Sequence, residues 1–537
     1  MKRREFLSST LALAAANLVP RSVRAADSSM EVLIREPVGT SAPELQGHFT
    51  EHIGGVIYDG VWVGEDSKIP NVGGVRKALV DRMRQLKAPV VRWPGGCFAD
   101  SYNWRDGIGP RAQRPTRTNF WANDKDLWNA PDGPQKYEPN EFGTAEFIRF
   151  SRLCGAQPYL AANVRSLTPH DYDEWVEYCN SPAGSTTLAK TRAGDGSREP
   201  FGVTYWGIGN ESWGCGGDFL PEEYAVDFRR FTAWVPDYGL KLRLIGSGPG
   251  AGIDDPRVEW TRGFFERLRA KGKEMFDRLY GLSMHYYCWT AGKGQSVDFT
   301  VEDWYQLLWQ ADVMDSLIAK HWSAMGEYDP EHKVKLVVDE WGAWHRGPAI
   351  DPRYLFSYIP TMRDALVTGI TLDIFNRHAE KLAMCNVAQL VNNIHTLFLA
   401  REDKFAETPT FHVFDMYKAH QGGQSLRLVS DAAAIPYAPG KNLWGLAGSA
   451  TLHGKKLIVT AVNPHVSEER TCEIALRGAS ARSGRATVLA SADIHAHNDF
   501  ENPRAVEPRE QPATIAGSTL SWTFAPASVT KLEIELA

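Results

Sequence analysis

The stretch VKLVVDEWGAW, Val334 to Trp344, begins as a short β-branched run and ends in Asp339-Glu340 beside two tryptophans. Such a run reads as a strand of a parallel sheet, buried on both faces. Its carboxylates then stand at the C-terminal end of the strand, the rim where parallel barrels keep their chemistry. A second stretch, VTYWGIGNESW (Val203 to Trp213), repeats the arrangement with Asn210-Glu211 followed by Trp213.

Working outward, further strand candidates are GGVIYDGVW, PVVRWPGG, QPYLAANV, KLRLIGSG, YGLSMHYY and GITLDIFN. Helical patterns separate most of them. Phe142, Phe147, Phe150 and Leu153 share one face, as do Tyr224, Phe228, Phe231 and Val235, and Asp303 to Met325 is the longest helical stretch. About eight strands alternating with helices predict a (β/α)8 TIM barrel, an α/β fold, over residues 45–405. A long Pro-, Trp- and Asn-rich loop interrupts it from Asp100 to about Asn140. Beyond Ala406 the segments become short, alternating and split by Gly, Asn and Pro. That texture predicts an antiparallel β-sandwich over 406–537, to which a lone strand within 28–44 can add.

The first 25 residues combine Lys2, Arg3 and Arg4, an apolar run from Phe6 to Val19 and small residues near Ala25. They read as a signal peptide, and Arg3-Arg4-x-Phe6-Leu7 resembles a twin-arginine signal, so the expectation is export to the periplasm or medium. The apolar run is shorter than the ~20 residues a membrane span requires. A net charge of -6 without a basic stripe argues against nucleic acid as a partner. The 7 cysteines form no CxxC pair, so neither a disulfide framework nor a zinc site is expected, and folding before export agrees with mostly reduced, buried thiols.

The predicted strand ends carry Arg92, Asn163, Asn210, Glu211, His285, Tyr287, Asp339, Glu340, Asn376 and Arg377. Two glutamates facing each other across a barrel mouth suit glycoside cleavage. At ~5 Å one attacks the anomeric carbon while the other protonates the leaving oxygen, whereas a wider gap admits water and gives inversion. Three other patterns are set aside. His48-Phe-Thr-Glu-His52 fits a zinc-peptidase pattern, but it runs into Gly54-Gly55 rather than along a helix. The glycines from Gly246 to Gly252 lack the spacing of a phosphate loop, and Asn210-Glu211-Ser212 is a glycosylation sequon placed at the site itself.

The ordered motifs FTEHIGGVIYDGVW, VVRWPGGCFADSYNWRDGIGPRAQRP, YWGIGNESWGCGG, LSMHYYCW, VVDEWGAWH and NVAQLVNNI resemble those of the α-L-arabinofuranosidases of glycoside hydrolase family 51, in a sub-branch with PGGCFAD. The resemblance implies a barrel with a sandwich, and retaining cleavage without metal or other cofactor. Glu211 matches the general acid/base and Glu340 the nucleophile. Glu51, Arg92, Asn210 and Gln389 match residues holding the terminal sugar, with His285, Tyr287 and Trp344 beside the carboxylates. Cys97 stands where much of the family has Asn, and a thiol donates poorly, so a sugar contact is expected to be lost or moved. Asn119-Phe120-Trp121 is expected to line the leaving-group side. The implied substrate is an arabinofuranosyl-containing oligo- or polysaccharide, with no nucleic acid or membrane partner, and the implied assembly is a homo-oligomer. Two alternatives stay open: an endo-β-1,4-glucanase or xylosidase specificity on the same fold, and a carbohydrate-binding protein without catalysis.

Overall fold

The computed structural model describes residues 27–123, 136–289, 295–513 and 515–537. The proposed signal, residues 1–25, lies outside them. Eight parallel strands close into a barrel in chain order: Gly47–Phe49, Val90–Trp93, Gln157–Ala162, Tyr205–Ile208, Arg243–Gly246, Gly281–Trp289, Lys335–Trp344 and Leu382–Val387. The helices on its outside include Thr144–Cys154, Pro221–Phe231 and Val301–Gly326, close to their expected extents. Phe147, Phe150, Tyr224, Phe228 and Phe231 are buried, so the apolar stripes face the barrel wall. Thr168 with Asp171, Thr300 with Asp303 and Thr361 with Asp364 close reciprocal capping boxes that fix where three of these helices start.

Two expected strands are corrected. GGVIYDGVW is not a strand; the first barrel strand lies just before it, at Gly47–Phe49. GITLDIFN belongs to the helix Met362–Arg377, and the eighth strand follows it at Leu382–Val387. Both replaced segments are largely apolar runs with few polar residues, a pattern that does not separate a buried helix or loop from a buried strand.

The C-terminal strands and Ser28–Thr40 form one continuous nine-stranded sheet. It curls around a core that includes Met30, Val32, Leu426, Val459, Ile474, Phe524 and Leu532. Ser28–Thr40 pairs antiparallel with Gln424–Ala432 and parallel with Arg470–Arg477. The helix Met362–Arg377 packs against this sheet, and through it the sheet braces the barrel.

Candidate active site

The strand that opens this account carries a local irregularity. Met284 pairs with Val338, but the next residue, His285, pairs with Glu340, so Asp339 is extra in its strand. A bulge of this kind lets consecutive side chains aim to the same side. Asp339 and Glu340 both point into the barrel mouth. Asp339 accepts from the Tyr159 hydroxyl at 2.8 Å and from Asn386 Nδ2 at 2.8 Å. Glu340 Oε1 accepts from Arg92 Nη1 at 2.8 Å, and Oε2 from the Tyr287 hydroxyl at 2.7 Å.

Arg92 comes from the second strand and is fully buried between these carboxylates and the rings of Phe49 and Tyr159. Burial works against its charge, but Asp339 and Glu340 outweigh it and hold the guanidinium protonated. Burial likewise pushes the Glu340 carboxyl up, and His285, Arg92 and Tyr287 overcome it, so Glu340 sits below the ordinary carboxylate range. It is held ionised.

Glu211 follows the fourth strand with its backbone in the left-handed region, φ +39°. This conformation is sparsely populated for a residue with a Cβ, and such residues cluster at functional sites. Its Oε1 lies 3.0 Å from His285 Nδ1, which is 3.6 Å from Glu340 Oε2. Burial opposes the imidazolium, but the two carboxylates raise His285 above its usual value. An oxygen of Glu211 lies within 4.8 Å of one of Glu340. That spacing fits the ~5 Å of retaining glycosidases and leaves no room for the interposed water of inverting ones.

Asn210 donates its backbone N–H to Asp100 and accepts from Arg92 Nη2. Glu51, just past the first strand, accepts from the Phe98 N–H, Trp121 Nε1 and Gln389 Nε2. Burial and the neighbouring Glu340 push its carboxyl up to about 7. Glu51, Trp121 and Gln389 line a cavity of about 50 Å³ together with Glu211 and Glu340, and Tyr287, Trp344 and Phe356 form its other side. Trp344 meets Tyr287 and Phe356 edge-on and stacks on the half-exposed Trp289.

Some expectations fall elsewhere. Asn163 bonds the Tyr102 carbonyl and Ser166, Asn376 bonds Ser449, and Arg377 reaches Asp315. Trp121 donates its Nε1 to Glu51 and lines the cavity. His48 and His52 do not converge: His48 is buried in a barrel strand, and His52 is bonded to Glu138 and Trp93.

The reading of Cys97 as a free thiol is corrected. Cys97 and Cys215 form a disulfide, while Cys154, Cys179, Cys288, Cys385 and Cys472 are free and buried. The partners are 118 residues apart and meet because two strand-end loops fold over the same mouth, which spacing cannot reveal. Cys215 and Asp100 were missed, although both lie inside quoted motifs. Two trios, Cys97-Glu211-Cys215 and Glu211-His285-Glu340, bring ligand-type atoms within 4.8 Å. The first has its sulfurs bonded to each other, and the second is already joined by mutual hydrogen bonds and ion pairs.

The description "Alpha-L-arabinofuranosidase 1 domain" matches residues 82–287, and "Alpha-L-arabinofuranosidase C-terminal domain" matches 339–528. An intracellular exo-α-L-arabinofuranosidase of Bacteroides ovatus is 32% identical, covering 99% of this chain and 98% of its own. Among solved structures, the family 51 arabinofuranosidase of Xanthomonas axonopodis pv. citri superposes with a TM-score of 0.88 at 34% identity, over 95% of this chain and 100% of that one. The α-L-arabinofuranosidase of Thermotoga maritima, solved as an arabinose complex, gives 0.80 at 26% identity over the same shares. The Bacteroides relative is named intracellular, as are relatives from Streptomyces lividans and Bacillus subtilis. This overturns the expectation of export, and the basic, apolar N-terminus is withdrawn as evidence for it. With two carboxylates at retaining distance in a matching barrel, the chain belongs to the α-L-arabinofuranosidases of glycoside hydrolase family 51, retaining enzymes that release terminal arabinofuranosyl residues.

Proposed function

We propose that Glu340 is the nucleophile and Glu211 the general acid and base of a double displacement. The natural substrates are short arabinofuranosyl oligosaccharides inside the cell. The observation that carries the assignment is the unlike surroundings of two close carboxylates. Arg92 and Tyr287 hold Glu340 as an anion, whereas Glu211 is the more exposed of the two, with its side chain 19% accessible against 7%. Glu340 attacks the anomeric carbon as Glu211 protonates the departing oxygen. Once the glycosyl ester has neutralised Glu340, Glu211 deprotonates the water that cleaves the ester.

Glu51 and Gln389, which line the cavity, and Asn210, bonded to Arg92 beside it, hold the hydroxyls of the furanose, as the family motifs imply. The aromatic wall of Trp344 and Phe356 closes the pocket around a single terminal sugar, which favours exo over endo action. Azide tests the roles directly. Glu211→Ala with azide should give an α-L-arabinofuranosyl azide of retained configuration, and Glu340→Ala with azide the inverted β-azide. Exchange of these two products would reverse the assignment.

A further inference from the structure

The two carboxyl oxygens of Glu211 face different chemistry. Oε1 meets His285, while Oε2 lies 3.6 Å from Cys215 Sγ and 3.8 Å from Cys97 Sγ. Bonded to each other, these sulfurs carry no hydrogen and offer Oε2 no donor. The proton that acid catalysis needs on the carboxyl then has no competitor from that side. With the S–S bond broken, two S–H groups would reach the same oxygen, and hydrogen bonds to an ionised carboxylate hold it in the form that cannot protonate a leaving group.

The bond also fixes where the carboxyl stands. On one side, a Cβ built on Gly96, the residue before Cys97, would lie 3.1 Å from Glu340 and 3.2 Å from Glu51, so this loop is pressed against both carboxylates. On the other, the Glu211 carbonyl accepts from the N–H groups of Gly214 and Gly216, which flank Cys215. The disulfide therefore spans the loop that floors the sugar pocket and the turn that aims Glu211.

We propose that Cys97 and Cys215 are positioning residues for the acid step, joined to present Glu211 with an aprotic neighbour and a fixed distance to the sugar. This rests on the assignment of Glu211 as the acid. Both cysteines are partly exposed, unlike the five buried thiols, so a small dithiol reaches this pair first. Reduction breaks the S–S bond, places two electrons and two protons on the sulfurs and closes the reductant's own disulfide. In a reducing compartment a disulfide is usually catalytic or redox-sensing, which suits a bond in contact with the reacting carboxyl.

The test is kcat/KM on aryl α-L-arabinofuranosides of graded phenol acidity. It compares the full chain oxidised, reduced with dithiothreitol that is then removed, and re-oxidised, with the C97S/C215S double variant and Glu211→Ala. Five thiols should titrate in the denatured oxidised protein and seven after reduction, since five of the seven cysteines are free. The reduced enzyme and the double variant should lose about tenfold on the phenyl glycoside, against the roughly 10²–10⁴ that general acid catalysis supplies. The loss should shrink as the phenol becomes more acidic, and re-oxidation should restore activity. Equal values across the series in both redox states would overturn the proposal. So would a loss of the same size at every leaving group, or seven titratable thiols before reduction. If Glu211→Ala itself shows no leaving-group dependence, the acid assignment fails instead.

Discussion

Asp100 braces the loop that carries Glu211 without lining the pocket itself. It is fully buried, with Oδ1 accepting from the N–H groups of Val164 at 2.8 Å and Arg165 at 3.2 Å, and Oδ2 from that of Asn210 at 2.8 Å. Burial pushes its carboxyl up to about 7 against the pull of these three donors. The ends of the third and fourth strands thus hang on one side chain, next to Glu211. Asp100→Ala would strand the buried N–H groups of Val164 and Asn210 at about 1–3 kcal/mol each. Asp100→Asn keeps one oxygen and is the informative variant. Its kcat on an aryl arabinofuranoside should fall about 10- to 100-fold, roughly 1.4–2.7 kcal/mol of barrier, with KM little changed. An unchanged kcat would mean that Asn210 and Glu211 keep their places unaided. Glu211 and Glu340 were legible in the sequence because each ends a recognisable strand. Asp100 and Cys215 were not, since their partners are long-range and no local pattern encodes them.

At the scale of elements, the helix Met362–Arg377 explains both a misreading and how the sheet is attached. Residues from Met362 to Asn376 are all buried, with Phe375 meeting Trp341 of the strand that carries Glu340 on one side. On the other, Asp373 accepts from Ser449, Thr460 and Tyr417. A helix buried all round has no polar stripe, so GITLDIFN reads as a strand until its Thr361-Asp364 cap is noticed. Most of the remaining barrel strands were legible as short apolar runs separated by helical patterns. Gly369 marks the closest approach: an added Cβ would lie 2.9 Å from Val462 Cγ2 and 3.2 Å from Val529 Cγ2. Alanine gains up to about 1 kcal/mol of helix propensity over glycine. Overpacking against two stiff valines costs about 1–3 kcal/mol. Gly369→Ala should therefore lower the thermal midpoint by the equivalent of about 1 kcal/mol while kcat stays unchanged. A raised midpoint would show that the sheet yields at this contact.

Across the whole molecule, six of the eight strands deliver polar groups to one mouth, and the fold bears the cost of gathering them. Glu51 is the clearest instance: it is 3% exposed, and burial together with Glu340 raises its carboxyl from 4.5 to about 7. A carboxyl raised in the folded state binds its proton more tightly there than in the unfolded chain. Its contribution is therefore neutral below about pH 4.5 and increasingly destabilising up to about pH 7, beyond which the penalty is constant. The bound is about 3 kcal/mol for a shift of this size. Glu51→Gln removes the charge and keeps the shape. One oxygen can still accept from Phe98 and Trp121. The Gln389 amide, whose Oε1 has no hydrogen-bond partner, can turn to accept from the new NH2 group. Thermal unfolding of the variant beside the parent should show a gain of about 1–3 kcal/mol at pH 8 that shrinks towards pH 4, with arabinofuranosidase activity sharply reduced. Equal midpoints at pH 8 would mean that the three donors fully offset the buried charge, and that this part of the site is built without loss of stability.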